Sequence, residues 1–132
     1  RRRRVYGGDY WGKKILRSMH NGHDYCIEGI RNPEEVVLFK KNPYFRLIAV
    51  YAPDEERMKR LLTRGRPGDP KTPDEFKVHD LRDKGLLAGS SFGQNTALTV
   101  PMAHYTISND GSAQELEERV KSLLTTLRQE LR

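Results

Sequence analysis

Arg57, Arg60 and Arg64 fall in the stretch PDEERMKRLLTRG at spacings of three and four, so on a helix they share one face. Arg66 follows two residues later, and Arg82 stands beyond a Pro/Gly loop. A solvated face normally mixes signs, whereas here Glu55 and Glu56 sit at the start of the segment and not along the stripe. The planar guanidinium fork matches phosphate oxygens two at a time, which makes the stripe a candidate phosphate clamp. The plainer alternative is an exposed stripe whose positive charge favours the helix C-terminus. A second constellation is EGIRN, residues 28–32, where a carboxylate, a glycine and an arginine lie between a short apolar run and a helix start. Glu28 there could hold a magnesium-bound water, because magnesium takes oxygen ligands and keeps most of its hydration shell. It could equally pair with Arg31 to brace the loop, which is the simpler reading of the local pattern. His20, His23, His79 and His104 have no Ser or Cys near them in a pattern that points to a triad. Asp69, Asp74, Asp80 and Asp83 read as caps or solvated charges.

The elements that must position these residues are legible from capping and periodicity. GDYWGKKILRSMHNG places Tyr10, Trp11, Ile15, Leu16 and Met19 at helical spacing, with Asp9 as a cap and Gly22 as a stop. DYCIE is short and apolar in its middle, which predicts a buried strand carrying a buried Cys26 thiol. NPEEVVLFKKN begins with an Asn cap, Pro33 at the first helical position and two acids in the first turn. FRLIAVYA, residues 45–52, predicts a strand buried on both faces. PDEERMKRLLTRG is a helix with Gly65 as its stop, and TPDEF opens another with Thr72 and Glu75 as a capping box. After an irregular glycine-containing stretch, HYTIS predicts a last strand, and Ser112 with Glu115 caps a long closing helix. Strands alternating with helices predict a parallel α/β sheet with helices on both faces, and ligands then bind beyond the carboxyl ends of the strands. Glu28 and Arg31, APDEER, and NDGS all fall on that edge.

Composition bounds the rest. With 132 residues, 36% apolar and 32% charged, one soluble domain is expected over residues 1–132. No run approaches the roughly 18 apolar residues of a membrane helix, and no signal-peptide pattern opens the chain, so a cytoplasmic protein with no membrane partner is expected. One cysteine makes no internal disulfide, and no Cys or His spacing reads as zinc. The net charge of +6 favours anionic partners of any kind, nucleotides and nucleic acids included. The opening RRRR reads as a solvated or disordered arm, or else as a contact for nucleic-acid phosphates.

EGIRNPEEV, FRLIAVYAPDEERMKRLLTRGRPGDPKTPDEFKVHD, GQN and YTISNDGSAQELEERV together resemble, in order and spacing, the carboxyl-terminal part of a P-loop nucleotide kinase of the dephospho-CoA kinase-like and nucleoside monophosphate kinase-like group. The match runs from about Gly8 to Leu131. The resemblance implies a three-layer P-loop NTPase-like fold and transfer of a phosphoryl group from ATP, with Mg2+, onto a nucleotide or dephospho-CoA-like acceptor. It implies that Glu28 serves the metal, that Arg31 and Arg4 face the acceptor, and that Arg57, Arg60, Arg64 and Arg66 close on the donor phosphates, with residues 64–84 as a lid-like insertion. Asn109, Asp110, Gly111 and Ser112 would lie near the donor base. Positioning and positive charge are most of what phosphoryl transfer needs from a protein.

Three departures qualify the resemblance. Glu28 stands where the family commonly has Asp, and His104 where it often has Asp. No G-x-x-x-x-G-K-[ST] appears, and the strand that leads into that motif, which lies between the counterparts of DYCIE and FRLIAVYA, is missing with it. Without the glycine-rich cradle the 132-residue chain is expected to bind MgATP poorly and to be catalytically inactive. Without the central strand, exposed edges and marginal stability are expected. The competing reading is a basic, non-catalytic binding or regulatory module for nucleic acid or anionic metabolites. A deaminase reading lacks support, since no H-x-E or P-C-x-x-C follows.

Overall fold

A computed structural model describes residues 2–87 and 93–131. In chain order the elements are α1 (Arg2–Tyr6), α2 (Tyr10–Ser18), α3 (Pro33–Phe39), β1 (Ile48–Tyr51), α4 (Asp54–Arg64), α5 (Pro73–Lys84), α6 (Thr96–Thr99), a 3-10 turn at Val100–Met102, β2 (Tyr105–Ser108) and α7 (Ala113–Glu130). The protein is mixed α/β with a small parallel sheet of two strands, Ile48 opposite Tyr105 and Tyr51 opposite Ser108. A tight turn cannot join parallel strands, so the chain between them forms a long crossover. Two compact units result, one drawn from residues up to Phe45 and from Lys77–Met102, the other from Arg46–Phe76 and from Ala103 onward.

The second unit holds the sheet. Period-two alternation sends Leu47 and Ala49 inward at 8% exposure each, while Val50 keeps 62% of its surface in water. The expectation of burial on both faces of this strand is therefore corrected: the described elements cover one set of its side chains and not the other. The start of β1 is fastened by His104, whose Nδ1 accepts from the Leu47 N–H at 2.9 Å while its own N–H donates to the Leu47 carbonyl at 2.8 Å. Gly65 ends α4 in the left-handed conformation, φ 57°, which a glycine adopts without a Cβ penalty. The start of α7 carries the expected capping box, with the Glu115 N–H donating to Ser112 Oγ at 3.2 Å and the Ser112 N–H donating to the Glu115 carboxylate at 2.6 Å. Ser112→Ala should cost about 1 kcal/mol, read as a fall in the urea midpoint with unchanged slope.

In the first unit, Asn32 caps α3 by accepting from the Glu34 N–H at 3.0 Å. Val36 and Phe39 on this helix are buried, at 0% and 4% exposure. Helix α2 lies against α3 at Gly12, where an added Cβ would sit 3.0 Å from Leu38 Cδ2 and 3.5 Å from the Phe39 ring. A side chain at this position would make Leu38 give way by a few tenths of an ångström.

Several expectations are corrected here. Residues 24–28 form no strand, because the N–H and C=O groups of an extended segment need a partner strand and the described sheet consists of β1 and β2 alone. Cys26 within them is exposed rather than buried. The arginine tract is not a loose arm over its described residues: Arg2, Arg3 and Arg4 are helical in α1, and Arg3 pairs with Glu35 at 2.9 Å, while Arg1 lies outside the described residues. Asp9 makes no side-chain cap to α2 and instead pairs with Lys13 at 2.8 Å. Part of the glycine-containing stretch after α5 folds as α6, capped by Asn95 through the Leu98 N–H; residues 88–92 of that stretch lie outside the described residues. Among the described residues no helix is long and apolar enough to cross a membrane.

Candidate functional site

Because β1 and β2 run parallel, α4 and the loop at residues 109–112 leave the same edge of the sheet. Arg60 of α4 reaches that loop, its Nη1 donating to the Asn109 carbonyl at 2.8 Å and its Nη2 to the Gly111 carbonyl at 3.5 Å. The far side of the loop is held by Arg119 of α7, which donates to the Ser108 carbonyl at 2.6 Å and to Asp110 Oδ1 at 2.7 Å. The Arg119 hydrogen bond, followed by that of Ser108, holds the Asp110 carboxyl down at about 2. A depressed carboxyl contributes stability above its unfolded value near 3.9 and loses that contribution as pH falls through about 2. Asp110→Asn should therefore be less stable than the parent at pH 6, with the gap closing between about pH 4 and pH 2 in urea titrations.

The remaining stripe arginines are each engaged within the second unit. Arg57 lies 3.6 Å from Asp54 and its guanidinium stacks 5.5 Å from the centre of the Phe76 ring. Arg64 forms a two-point pair with Asp69, Nε to Oδ2 at 2.8 Å and Nη2 to Oδ1 at 2.5 Å. That hydrogen bonding lowers the Asp69 carboxyl and raises the Arg64 guanidinium. Asp69, which read as a cap or solvated charge, also accepts from the Arg66 N–H at 3.0 Å and so shapes the RGRPGD turn. Arg66 itself is exposed. The shared-face arrangement of Arg57, Arg60 and Arg64 thus anchors a turn, a ring and a loop.

In the first unit Arg31 does not pair with Glu28. Its Nη1 donates to Gln94 Oε1 at 3.2 Å, its carbonyl accepts from the Asn95 N–H at 2.7 Å, and Asn32 Nδ2 reaches the Gly93 carbonyl at 3.5 Å. The GIRN and GQN segments are zipped together, a pairing no local sequence pattern announced. Gly29, between them, takes φ +76°, a left-handed conformation that favours glycine. Glu28 and Arg4 are exposed, the latter on α1. Among the described residues no three His, Cys, Asp or Glu side chains come together as a metal-binding group.

Fold and site together define a mixed α/β protein whose parallel strand pair presents, at its carboxyl edge, a loop fastened by two arginines. Its homologues are UPF0200 proteins of archaea. It is 35% identical to the UPF0200 protein of Hyperthermus butylicus over 101 residues, 76% of this chain and 50% of that one. Identity to a UPF0200 protein of Thermoplasma acidophilum is 31% over 126 residues, 93% of this chain and 64% of the relative. The Methanothermobacter thermautotrophicus protein is 30% identical over 130 residues, 96% of this chain and 64% of its own length. The chain spans between half and somewhat under two thirds of the curated relatives it matches. No family model matches it, and no solved structure matches it significantly.

Proposed function

We propose that this chain is the carboxyl-terminal, nucleotide-side part of an ATP-dependent phosphotransferase with a P-loop-type ancestry, acting on a nucleotide or dephospho-CoA-like acceptor. The observation that carries the reading is the grip of Arg60 on the Asn109 and Gly111 carbonyls at the carboxyl edge of two parallel strands, where α/β folds take their ligands. Arg60 acts there as a positioning residue that presents Asn109, Asp110, Gly111 and Ser112 toward a nucleotide base. Arg66, exposed two residues beyond the stripe, fits the role of a phosphate contact; Arg64 joins it when the Asp69 pair opens. Arg31 and Arg4 remain the acceptor candidates. The residues present do not by themselves fit the metal. Glu28 is a lone exposed carboxylate, whereas bound magnesium usually draws on one or two carboxylates together with phosphates and water.

The test is an NMR titration of the full 132-residue chain with ATP, with adenosine, and with double-stranded DNA of arbitrary sequence. The reading expects shifts from ATP and adenosine at residues 109–112, additional shifts from ATP at Arg64 and Arg66, and loss of the latter alone in Arg66→Ala. It also expects no phosphoryl transfer, since no glycine-rich cradle is present. DNA binding that weakens steeply with salt while neither ATP nor adenosine moves residues 109–112 would overturn it and favour the binding-module reading.

A further inference from the structure

All of the net positive charge lies at one end of the sequence. Residues 1–19 contain seven of the 24 Lys and Arg and one of the 18 Asp and Glu, a net +6 that equals the charge of the whole chain, while the remaining 113 residues carry seventeen of each sign. The structure folds this segment into α1 and α2 and interleaves its cations with rings. The Arg2 guanidinium lies 5.6 Å and the Lys14 ammonium 5.7 Å from the centre of the Trp11 ring. Tyr6 stacks on Tyr10 at 5.3 Å, and Tyr10 meets Trp11 edge-on at 4.9 Å. Tyr6 and Trp11 nonetheless keep 63% and 39% of their surface in water. The one acid of the segment, Asp9, is neutralised by Lys13, whereas Arg2, Arg4, Lys14 and Arg17 are exposed.

We infer that the α1–α2 face binds single-stranded nucleic acid, with phosphates on Arg2, Arg4, Lys14 and Arg17 and unpaired bases stacking on Tyr6 and Trp11. Every base has a π-face, so such a platform is tolerant of sequence, and the neighbouring cations follow the backbone. A duplex keeps its base faces covered and has only charge to offer. An anionic membrane fits less well, because the Gly12 side of α2 lies against α3 and the exposed aliphatic side chains of the two helices, Val5 and Leu16, are too few among the rings and cations to make a broad apolar face. The surface belongs to the first unit, shares only Arg4 with the nucleotide reading and draws on none of residues 109–112, so its failure and the failure of that reading are separately visible.

Trp11 is the only tryptophan, so its emission reports on the proposed surface directly. Titration of the full chain with a twenty-residue oligothymidylate should quench Trp11. Four phosphate contacts at a single-strand slope near −0.7 each give about −3, or binding about 50-fold weaker when salt rises fourfold. Lys14→Ala, at an exposed position, should make that slope shallower by about 0.7, with at most a small fall in thermal unfolding from the lost contact with the Trp11 ring. Inorganic polyphosphate should bind without quenching. The inference is overturned if oligothymidylate leaves Trp11 unquenched, if polyphosphate and oligothymidylate bind equally with the same optical response, or if only phosphatidylserine vesicles shift the emission.

Discussion

Arg3→Met is expected to destabilise the first unit by about 3 kcal/mol or more, the range for removing one member of a buried ion pair. Glu35 is 3% exposed, and its Oε1 receives Arg3 Nη2 at 2.9 Å. Once the guanidinium is gone the carboxylate stays behind, out of water and without its cation, and that stranded charge sets the size of the loss. Arg3→Met combined with Glu35→Met should recover most of it, because replacing both members of such a pair by apolar groups is often neutral or better. Arg3 Nε reinforces that expectation: it is buried and has no hydrogen-bond partner among the described residues, so the pair already leaves one donor unsatisfied. Urea unfolding followed by Trp11 emission reads the right unit, since α2 belongs to it. An unchanged midpoint for Arg3→Met would mean that Glu35 stays hydrated and that α1 is held by something else. Against a total stability of about 5–15 kcal/mol, the expected loss is large enough to populate unfolded chains.

Sequence reasoning read most local devices well, the Asp9 cap excepted, and the long-range ones poorly. Asn32, Gly65, and Ser112 with Glu115 all close or open helices as their residue types require, because a cap is a contact between neighbours a few residues apart. The parallel pairing of β1 with β2 was also legible, from the alternation of strand and helix signals. DYCIE failed as a strand for a different reason: its pattern is strand-like, but strand formation depends on a neighbour that the segment's own residues do not specify. Cys26 is exposed as a consequence. At the site, three-and-four spacing correctly placed Arg57, Arg60 and Arg64 on one helix, yet nothing local says that Arg60 grips residues 109–111 or that Arg31 bonds to Gln94, 63 positions away. The arginine tract lies in solvent at Arg2 and Arg4, as charge runs usually do, and misled at Arg3, because its partner Glu35 looks in sequence like an ordinary first-turn acid.

Phe39→Ala should be the other most damaging single change, costing about 3–5 kcal/mol, the usual range for emptying a buried phenylalanine site. The ring is 4% exposed and stacks on Phe45 with centroids 5.4 Å apart, and its edge is what an added Cβ at Gly12 would meet at 3.5 Å. One side chain therefore joins α3, the residue that closes the following turn, and the close approach of α2. The loss has a transfer part and a cavity part, and the cavity part depends on whether α2 can settle onto α3. Gly12 decides that question. With no side chain of its own it has nothing to swing into the space, so collapse requires the backbone of α2 to move, and the upper half of the range is expected. Phe39→Leu, which keeps most of the volume, should cost about 1.5 kcal/mol or less. The two variants together separate packing from fold: a similar loss for both would point to the aromatic stack with Phe45 as the main contribution, whereas the expected graded loss assigns it to the volume between the helices. The midpoint of Trp11-detected urea unfolding should fall in that order at constant slope.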